Sequence, residues 1–528
     1  MFYLIYTLSY LYIFIYNPYY IISMKKLFIL ATCAIATIAT AETFKGGASV
    51  GSRTEITAPS SESNTLILDP STGTFYSGIN ETTYKSVSST GNVGMASGGL
   101  TIDANTTEDN FKAFDVAGDW SMNLTYLFVT NSASNTANVQ LNAKRFVFTS
   151  GSDQSQTMSI GEGKYTINTT GTSIFSADQG TATLEIFTGS NVTWVGELTM
   201  GKSSVFNLYG KAEFNKGGLF VDKSAVINIH EGAHLKKMSS GWFTVEGTLN
   251  IYNGGKFEPV TGGNLVLTGT LNTESAMTLT ATTSTGTYKQ TAGSTTMKRA
   301  VNIEKGSWQV YEKLTLEGST HADLSKTCAQ LTIADGVTFV IKNNENGNAA
   351  NEARLLFNGY NDLVLNKKNA IVDENGNAIK LATVAKTQKI DDVDTLVEVL
   401  NNKMTVNADQ TFRSLFIASK SSLDIIMAND VVLEFTDTTS FNTASTDAFL
   451  RIFNFQENSI KFNVSSTSVC DRIQTYIKLY GATDKDFLGF ADYTEDGFLT
   501  LIAVPEPAEW AMILGAIALA LAIYRRRK

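Results

Sequence analysis

Three short stretches carry residue types that could do chemistry. His230-Glu231-Gly232-Ala233-His234 has the H-E-x-x-H spacing of a zinc protease. That chemistry needs a helix, where two imidazoles four residues apart face one metal and the glutamate activates its water. Gly47-Ala48-Ser49-Val50-Gly51 matches G-x-S-x-G, whose serine needs a buried strand before it, a helix after it, and histidine and acid partners. Asp373-Glu374-Asn375-Gly376-Asn377 resembles the front of a calcium loop, but the twelfth position is Val384 where a bidentate glutamate is needed. The surroundings speak against all three. The serine motif lies in a Gly/Ser-rich start, and the aspartate run reads as a polar turn. The histidine pair falls inside a repeat in which Gly232 takes a turn position, so the two rings are expected on either side of a turn.

That repeat decides the fold class. LEIFTGSNV from Leu184, FNLYGKAEF from Phe206, INIHEGAHL from Ile227 and LNIYNGGKF from Leu249 align without gaps, and LNTESAMTL from Leu271 follows more loosely. The starting positions advance by a nearly constant step. Apolar residues at the first and third positions mark a strand with one buried face. A turn glycine follows (Gly189, Gly232, Gly254, with Gly210 one position early), then an apolar ninth residue. A further strand sits between copies: Leu198-Thr199-Met200, Leu219-Phe220-Val221, Phe243-Thr244-Val245 and Leu265-Val266-Leu267. A step of this size, with two or three short strands, makes one coil of a parallel β-helix, which buries its apolar side only by stacking on its neighbours. No proline occurs between Pro259 and Pro505, as suits a backbone paired in sheet.

The expected class is therefore all-β: a parallel β-helix with coils of about 22 residues, a β-rich C-terminal unit and one C-terminal transmembrane helix. Residues 42–160 read as β-rich without a period, and 161–342 as the β-helix. An interruption is expected at 343–405, holding one amphipathic helix from Asp391 to Met404. The stretch 406–503 reads as resumed β-helix and a terminal unit from Phe449 to Ala503 that covers the open end. The resumption rests on SLFIASKSSLDI (414–425), whose apolar placement matches ELTMGKSSVFNL (197–208) and GLFVDKSAVINI (218–229).

Composition bounds the chemistry. Charged residues are 17% of the 528, against about 25% in ordinary soluble proteins. A net charge of −9 argues against nucleic acid as a partner. No cofactor or metal site is expected. A polysaccharide lyase or hydrolase on this fold, the alternative function, needs carboxylates clustered on adjacent coils. The outward column Glu185, Asn207, Asn228, Asn250, Asn272 offers one acid and four amides. Tyr209 and Tyr252 recur at one position, where they could stack on sugar rings or on each other's column across coils. Cys328 and Cys470, the two thiols left after signal removal, allow one disulfide and no disulfide framework.

Both ends carry targeting signals. Lys25-Lys26, an apolar run from Leu27 to Ile38 and Ala39-Thr40-Ala41 form a secretory signal peptide (24–41), with Ala39 and Ala41 at the cleavage site and Glu42 as the expected mature N-terminus. Translation is then expected to start at Met24, with residues 1–23 a gene-start artefact; the alternative is an N-terminal membrane helix. At the other end Pro505-Glu506-Pro507 precedes a mostly apolar segment, Ala508 to Tyr524, and Arg525-Arg526-Arg527-Lys528 closes the chain. As a helix that segment spans about 26 Å, enough to cross a bilayer core. The terminal cations hold that end in the cytoplasm.

This order over residues 504–528 resembles the PEP-CTERM sorting signal of Gram-negative bacteria. With the repeat and signal peptide, the chain resembles autotransporter-like, adhesin-like β-helix proteins of that class. The resemblance implies recognition of Pro505, Glu506 and Pro507 by an exosortase-type transpeptidase, with Arg525, Arg526 and Arg527 as the stop-transfer cluster. It further implies export across the inner membrane, transient anchoring by the tail, and residence at the cell surface or within extracellular polysaccharide.

Overall fold

The computed structural model divides the chain into Met1–Gly51 and Ser52–Lys528. It describes residues 65–67, 75–76, 83–95, 99–122, 126–150, 155–237, 242–259, 264–318, 329–343, 352–384, 388–390, 393–395, 400–443, 448–483, 485–502 and Arg525, all in the second unit. The signal peptide with Ala39, Ala41 and Glu42, the serine motif, Cys328, and the tail except Arg525 lie outside the described residues.

Within them the chain winds through three strand faces in fixed cyclic order. Within each ladder the coil strands pair in parallel with the strand one coil earlier, as in β-helix coils. The face I ladder runs from Thr65–Ile67 to Lys256–Glu258, and a second ladder at its place in the order runs from Met277–Leu279 to Phe441–Thr443. Face III runs from Thr83–Tyr84 to Thr338–Lys342, then reappears at Gln410–Phe412. Face II is continuous: sixteen successive parallel pairings link Phe75–Tyr76 to Ile477–Tyr480. At about 4.8 Å per pairing this ladder is about 77 Å long.

The repeat read from the sequence is the register of the structure. Leu184, Phe206, Ile227, Leu249 and Leu271 are successive partners on face III. Leu198, Leu219, Phe243 and Leu265 are successive partners on face II. All nine point into one continuous apolar core that extends from Tyr84 to Leu499. Gly189, Gly232 and Gly254 adopt φ of 83°, 75° and 79° at the corner, a conformation open to glycine and strained for other residues. The copy with the early glycine departs from the alignment: Ala212, not Phe214, joins the column of Val192, Leu235 and Phe257. Its corner is shorter by one full side-chain alternation, so the next strand keeps its inward face.

Several expectations are corrected. The described residues of 83–160 already stack as coils. Their face III partners Tyr84, Ile102, Val129, Ile160 and Ile186 stack in order but are unevenly spaced along the chain. The stretch 343–405 interrupts the face III ladder alone, since Arg354–Asn358 and Lys380–Val384 join the second face I ladder and Asn361–Leu365 joins face II. The helix expected over Asp391–Met404 is not found: Val393–Thr395 pairs with Gln388–Ile390 as an antiparallel hairpin, and Leu400–Val406 is a face II strand. Asn402 is the reason the strand was hidden. It sits inward, fully buried, donating to the Ser422 carbonyl at 3.1 Å and accepting from Asn361 Nδ2 at 2.9 Å. A polar residue there breaks the apolar alternation between Leu400 and Met404. SLFIASKSSLDI turns the corner from the second face I ladder onto face II, whereas its sequence matches turn from face II to face III.

The stack ends in a different manner from its coils. Phe449–Phe453 and Ile460–Phe462 are ordinary coil strands, so the terminal unit starts later than Phe449. A helix, Thr467–Tyr476, takes the place of the last face I strand and buries Val469 and Ile473. Face II then adds Phe487–Tyr493 and Leu499–Leu501 in antiparallel pairing. No helix among the described residues is long and apolar enough to cross a membrane.

Ile227, fully buried mid-stack, tests the coil-on-coil picture. Ile227→Ala is expected to cost about 2–5 kcal/mol. In a quasi-one-dimensional stack the loss concentrates in nearby coils. Native-state hydrogen exchange should therefore show amides of 206–251 deprotected well before those of 423–452.

Candidate functional site

Two neighbouring columns on the outside of face III gather the side chains singled out above. The first is the amide column. Asn272 Nδ2 donates to Asn250 Oδ1, Asn250 to Asn228 and Asn228 to Asn207, each at 2.9 Å. Asn207 Nδ2 donates to Glu185 Oε1 at 3.5 Å, and Ser159 Oγ donates to Glu185 Oε2 at 3.2 Å. Every amide is oriented the same way. The single acid stands where the run of donors ends, since a carboxylate only accepts.

Two positions further along the chain, the second column is aromatic. Phe187, Tyr209, His230 and Tyr252 lie on successive coils. Tyr209 and His230 stack with centroids 4.1 Å apart and planes 9° apart; His230 and Tyr252 stack at 5.0 Å and 19°. Phe187 and Tyr209 stack at 6.5 Å. Tyr209 therefore has a ring on each side within the column and Tyr252 a ring on one side, so the recurring tyrosines pack across coils. His230 between them is partly desolvated, which lowers its pKa from the ordinary histidine value.

The zinc-protease geometry is not present. His230 follows strand Val226–Ile229 on face III, and His234 opens strand His234–Lys237 on face I, with the Gly232 turn between them. His234 Nε2 lies 3.3 Å from Glu258 Oε2. No cluster of three or more metal-ligating side chains occurs among the described residues. Asp373 is a turn residue: Oδ1 accepts from the backbone N–H of Asn375 and Asn377 at 2.9 and 2.7 Å, and Oδ2 from side-chain amides of Asn377 and Asn343. Its lone pairs are thus committed to N–H donors. Cys470 is a free thiol.

Sequence reasoning missed a charged column on face II. Asp362, Lys403, Asp424, Arg451 and Lys478 are successive partners. Arg451 grips Asp424 with Nε–Oδ1 at 2.7 Å and Nη2–Oδ2 at 2.6 Å. Burial raises the Asp362 pKa, partly offset by Lys403. Their uneven spacing along the chain left no periodic signal. The column holds two acids on alternate coils, but Asp424 is locked to Arg451 and Lys403 stands between the two carboxylates. That arrangement suits cross-coil ion pairing better than a carboxylate pair around a scissile bond.

The chain matches no protein-family model, no curated protein and no solved structure.

Asn228 both donates and accepts within the amide column, whereas Asn272 at its end donates only. Asn228→Ala is expected to destabilise by about 1–2 kcal/mol, and Asn272→Ala by about half as much, measured by denaturant unfolding. His230 adds a pH dependence. Its folded pKa is depressed, so the unfolded chain binds the extra proton and stability falls as pH drops through the ordinary histidine value. Between about pH 7 and pH 5, the thermal midpoint of the native protein should fall further than that of His230→Phe, which keeps the flat ring and removes the proton site.

Proposed function

We propose that this is an exported, surface- or matrix-associated β-helix protein of structural, adhesin-like type, sorted through its C-terminal tail. The junction between fold and tail carries the reading. The last described strand ends at Leu501, and the sorting tripeptide starts at Pro505. A transpeptidase acting at Pro505-Glu506-Pro507 would thus release a complete stack and leave the apolar segment Ala508–Tyr524 and its cations behind. Nothing in the described fold would be cut. The stack itself supports a presenting role, because its outward columns on face III are hydrogen-bonded amides and stacked rings, a neutral polar surface suited to a hydrated polysaccharide matrix. An enzyme acting on polysaccharide has less support, since Asp424 is locked to Arg451 and Lys403 stands in register between the Asp424 and Asp362 carboxylates.

Mass spectrometry of both termini, from cells with and without the exosortase-type transpeptidase, tests the proposal. A C-terminus near Pro505–Pro507 in the complete strain, with Glu42 at the N-terminus, is the expected result. An intact Lys528 in both strains would reduce the tail to a plain anchor and remove the sorting reading.

A further inference from the structure

The cap at the C-terminal end of the stack leaves an apolar surface uncovered. Among the described residues ten large apolar side chains are exposed, and five of them, Phe487, Leu488, Phe490, Leu501 and Ile502, lie within one short stretch. Their exposures are 38–45%. Four of them, Phe487, Leu488, Phe490 and Ile502, share one side of the strands as well. Phe487–Tyr493 pairs antiparallel with Leu499–Leu501, and the Ile502 N–H donates to the Phe490 carbonyl at 2.9 Å. Phe487 packs on Phe490 at 5.6 Å and on Tyr480 at 5.3 Å; Tyr480 stacks on Phe453 at 4.9 Å. Ala491 and Leu499 on the same strands point into the core. Leu501 stands opposite Ala491 and so shares the closing side with Ala491 and Leu499, whereas Phe487, Leu488, Phe490 and Ile502 lie on the outward side. Soluble surfaces scatter such residues singly; a contiguous group marks a partner.

The charges around the patch are already engaged. Asp486 accepts from Thr483, Asp492 accepts from Gln474, and the Lys478 ammonium lies 4.4 Å over the Phe449 ring. Lys478 stands opposite Phe490 in register, and the Arg451 guanidinium lies 5.4 Å from the Phe453 ring. The edge thus carries both signs: the basic groups lie over aromatic rings, as at a headgroup–acyl boundary, while the acids Asp486 and Asp492 are held by Thr483 and Gln474.

Chain length fixes where such a boundary can be. Only six steps along the chain lead from Ile502 to Ala508. Fully extended they reach about 21 Å. Resting on the reading of Ala508–Tyr524 as a membrane span, we propose that the patch Phe487, Leu488, Phe490 and Ile502 seats on the lipid surface that the tail enters. The partner is the bilayer interface, held by burial of aliphatic and aromatic side chains. Contact on this side would fix the stack at its base and hold Pro505-Glu506-Pro507 at the depth of a membrane-embedded transpeptidase.

The test uses the full chain, with its native thiols replaced by serine, reconstituted into phospholipid vesicles. A nitroxide is attached at Leu488→Cys, at Ala516→Cys in the tail, or at Lys202→Cys many coils away. Accessibility to oxygen and to a neutral nickel chelate is compared. The 516 label reports the tail, the 488 label the patch, and the 202 label should stay chelate-accessible. Loss of chelate access with retained oxygen access at both 516 and 488 is the expected result. A lipid-buried 516 with a chelate-accessible 488 overturns the patch proposal and leaves the span intact. A 488 label closed to both reagents places protein on the patch, the tail or a second copy, and overturns it too. A chelate-accessible 516 removes the span; 488 in lipid would then show the patch binding alone, and 488 in water would remove both.

Discussion

Parallel in-register pairing from coil to coil is the constraint on which the rest depends. It places like positions about 4.8 Å apart along a column. Each outward column must therefore tolerate its own chemistry repeated at contact distance, and like charges directly opposite one another repel. Amides meet the condition without limit, because each is both donor and acceptor. Asn207, Asn228, Asn250 and Asn272 repeat, and the one carboxylate, Glu185, stands at the end of the run. Flat rings meet it by stacking, as Tyr209, His230 and Tyr252 do. Charges meet it by alternating in sign: Asp119 with Arg145, Glu213–Lys236–Glu258, Asp362–Lys403–Asp424–Arg451, and Glu434 with Lys461. Cations stack at Lys313–Arg354–Lys380, where a carboxylate from outside the column, Glu352, pairs with Lys380 and Arg413, and at Arg451–Lys478, where Asp424 holds Arg451 and Lys478 lies over the Phe449 ring. The low charged content of the chain follows from the same rule.

A stack of parallel strands has no natural end, since its last strand offers unpaired N–H and C=O groups to any partner. The C-terminal solution here is a change of geometry. The helix Thr467–Tyr476 fills the face I position with no strand edge to continue, and the antiparallel strands reverse the pairing on face II. Closing the apolar interior from below needs side chains pointing inward, such as Val469, Ile473, Ala491 and Leu499. The strands that supply Ala491 and Leu499 have a second side, and that side is where Phe487, Leu488 and Phe490 emerge. The exposed patch is thus made from the same strands as the closure.

Legibility tracked the regularity of the coil. From Leu184 to Leu271, where successive coils are nearly equal in length, the alignment reproduced the register of the face III strands. Before that stretch coil length varies widely, from the short step Tyr84–Ile102 to the long step Val129–Ile160, and the strands, though real, show no period. Corner loops absorb length without disturbing the ladder, so the signal is lost in the corners and not in the strands. Asn402 misled in another way: a buried, fully bonded amide on an inward position left Val393, Leu396, Val397, Leu400 and Met404 looking helical. The helix that does form carries only Val469 and Ile473 as buried apolar residues, and Ser466 makes no side-chain cap bond, so it announced itself weakly. The face II charges were invisible for a plainer reason: each partner lies a whole coil away, and those coils are of unequal length.

The column rule also accounts for the histidine pair without a metal. A spacing of four residues aims two side chains at one point only on a helix. Across a strand, a glycine turn and another strand, the two positions belong to different faces and answer to different columns. At position 230 the column asks for a flat ring between Tyr209 and Tyr252, and imidazole supplies one. At position 234 the column places the side chain between Lys211 and Lys256, and Glu258 lies within 3.3 Å. Each histidine is explained by its neighbours one coil above and below. Any motif that spans a corner of this fold has to be read the same way, along the columns first and along the chain second.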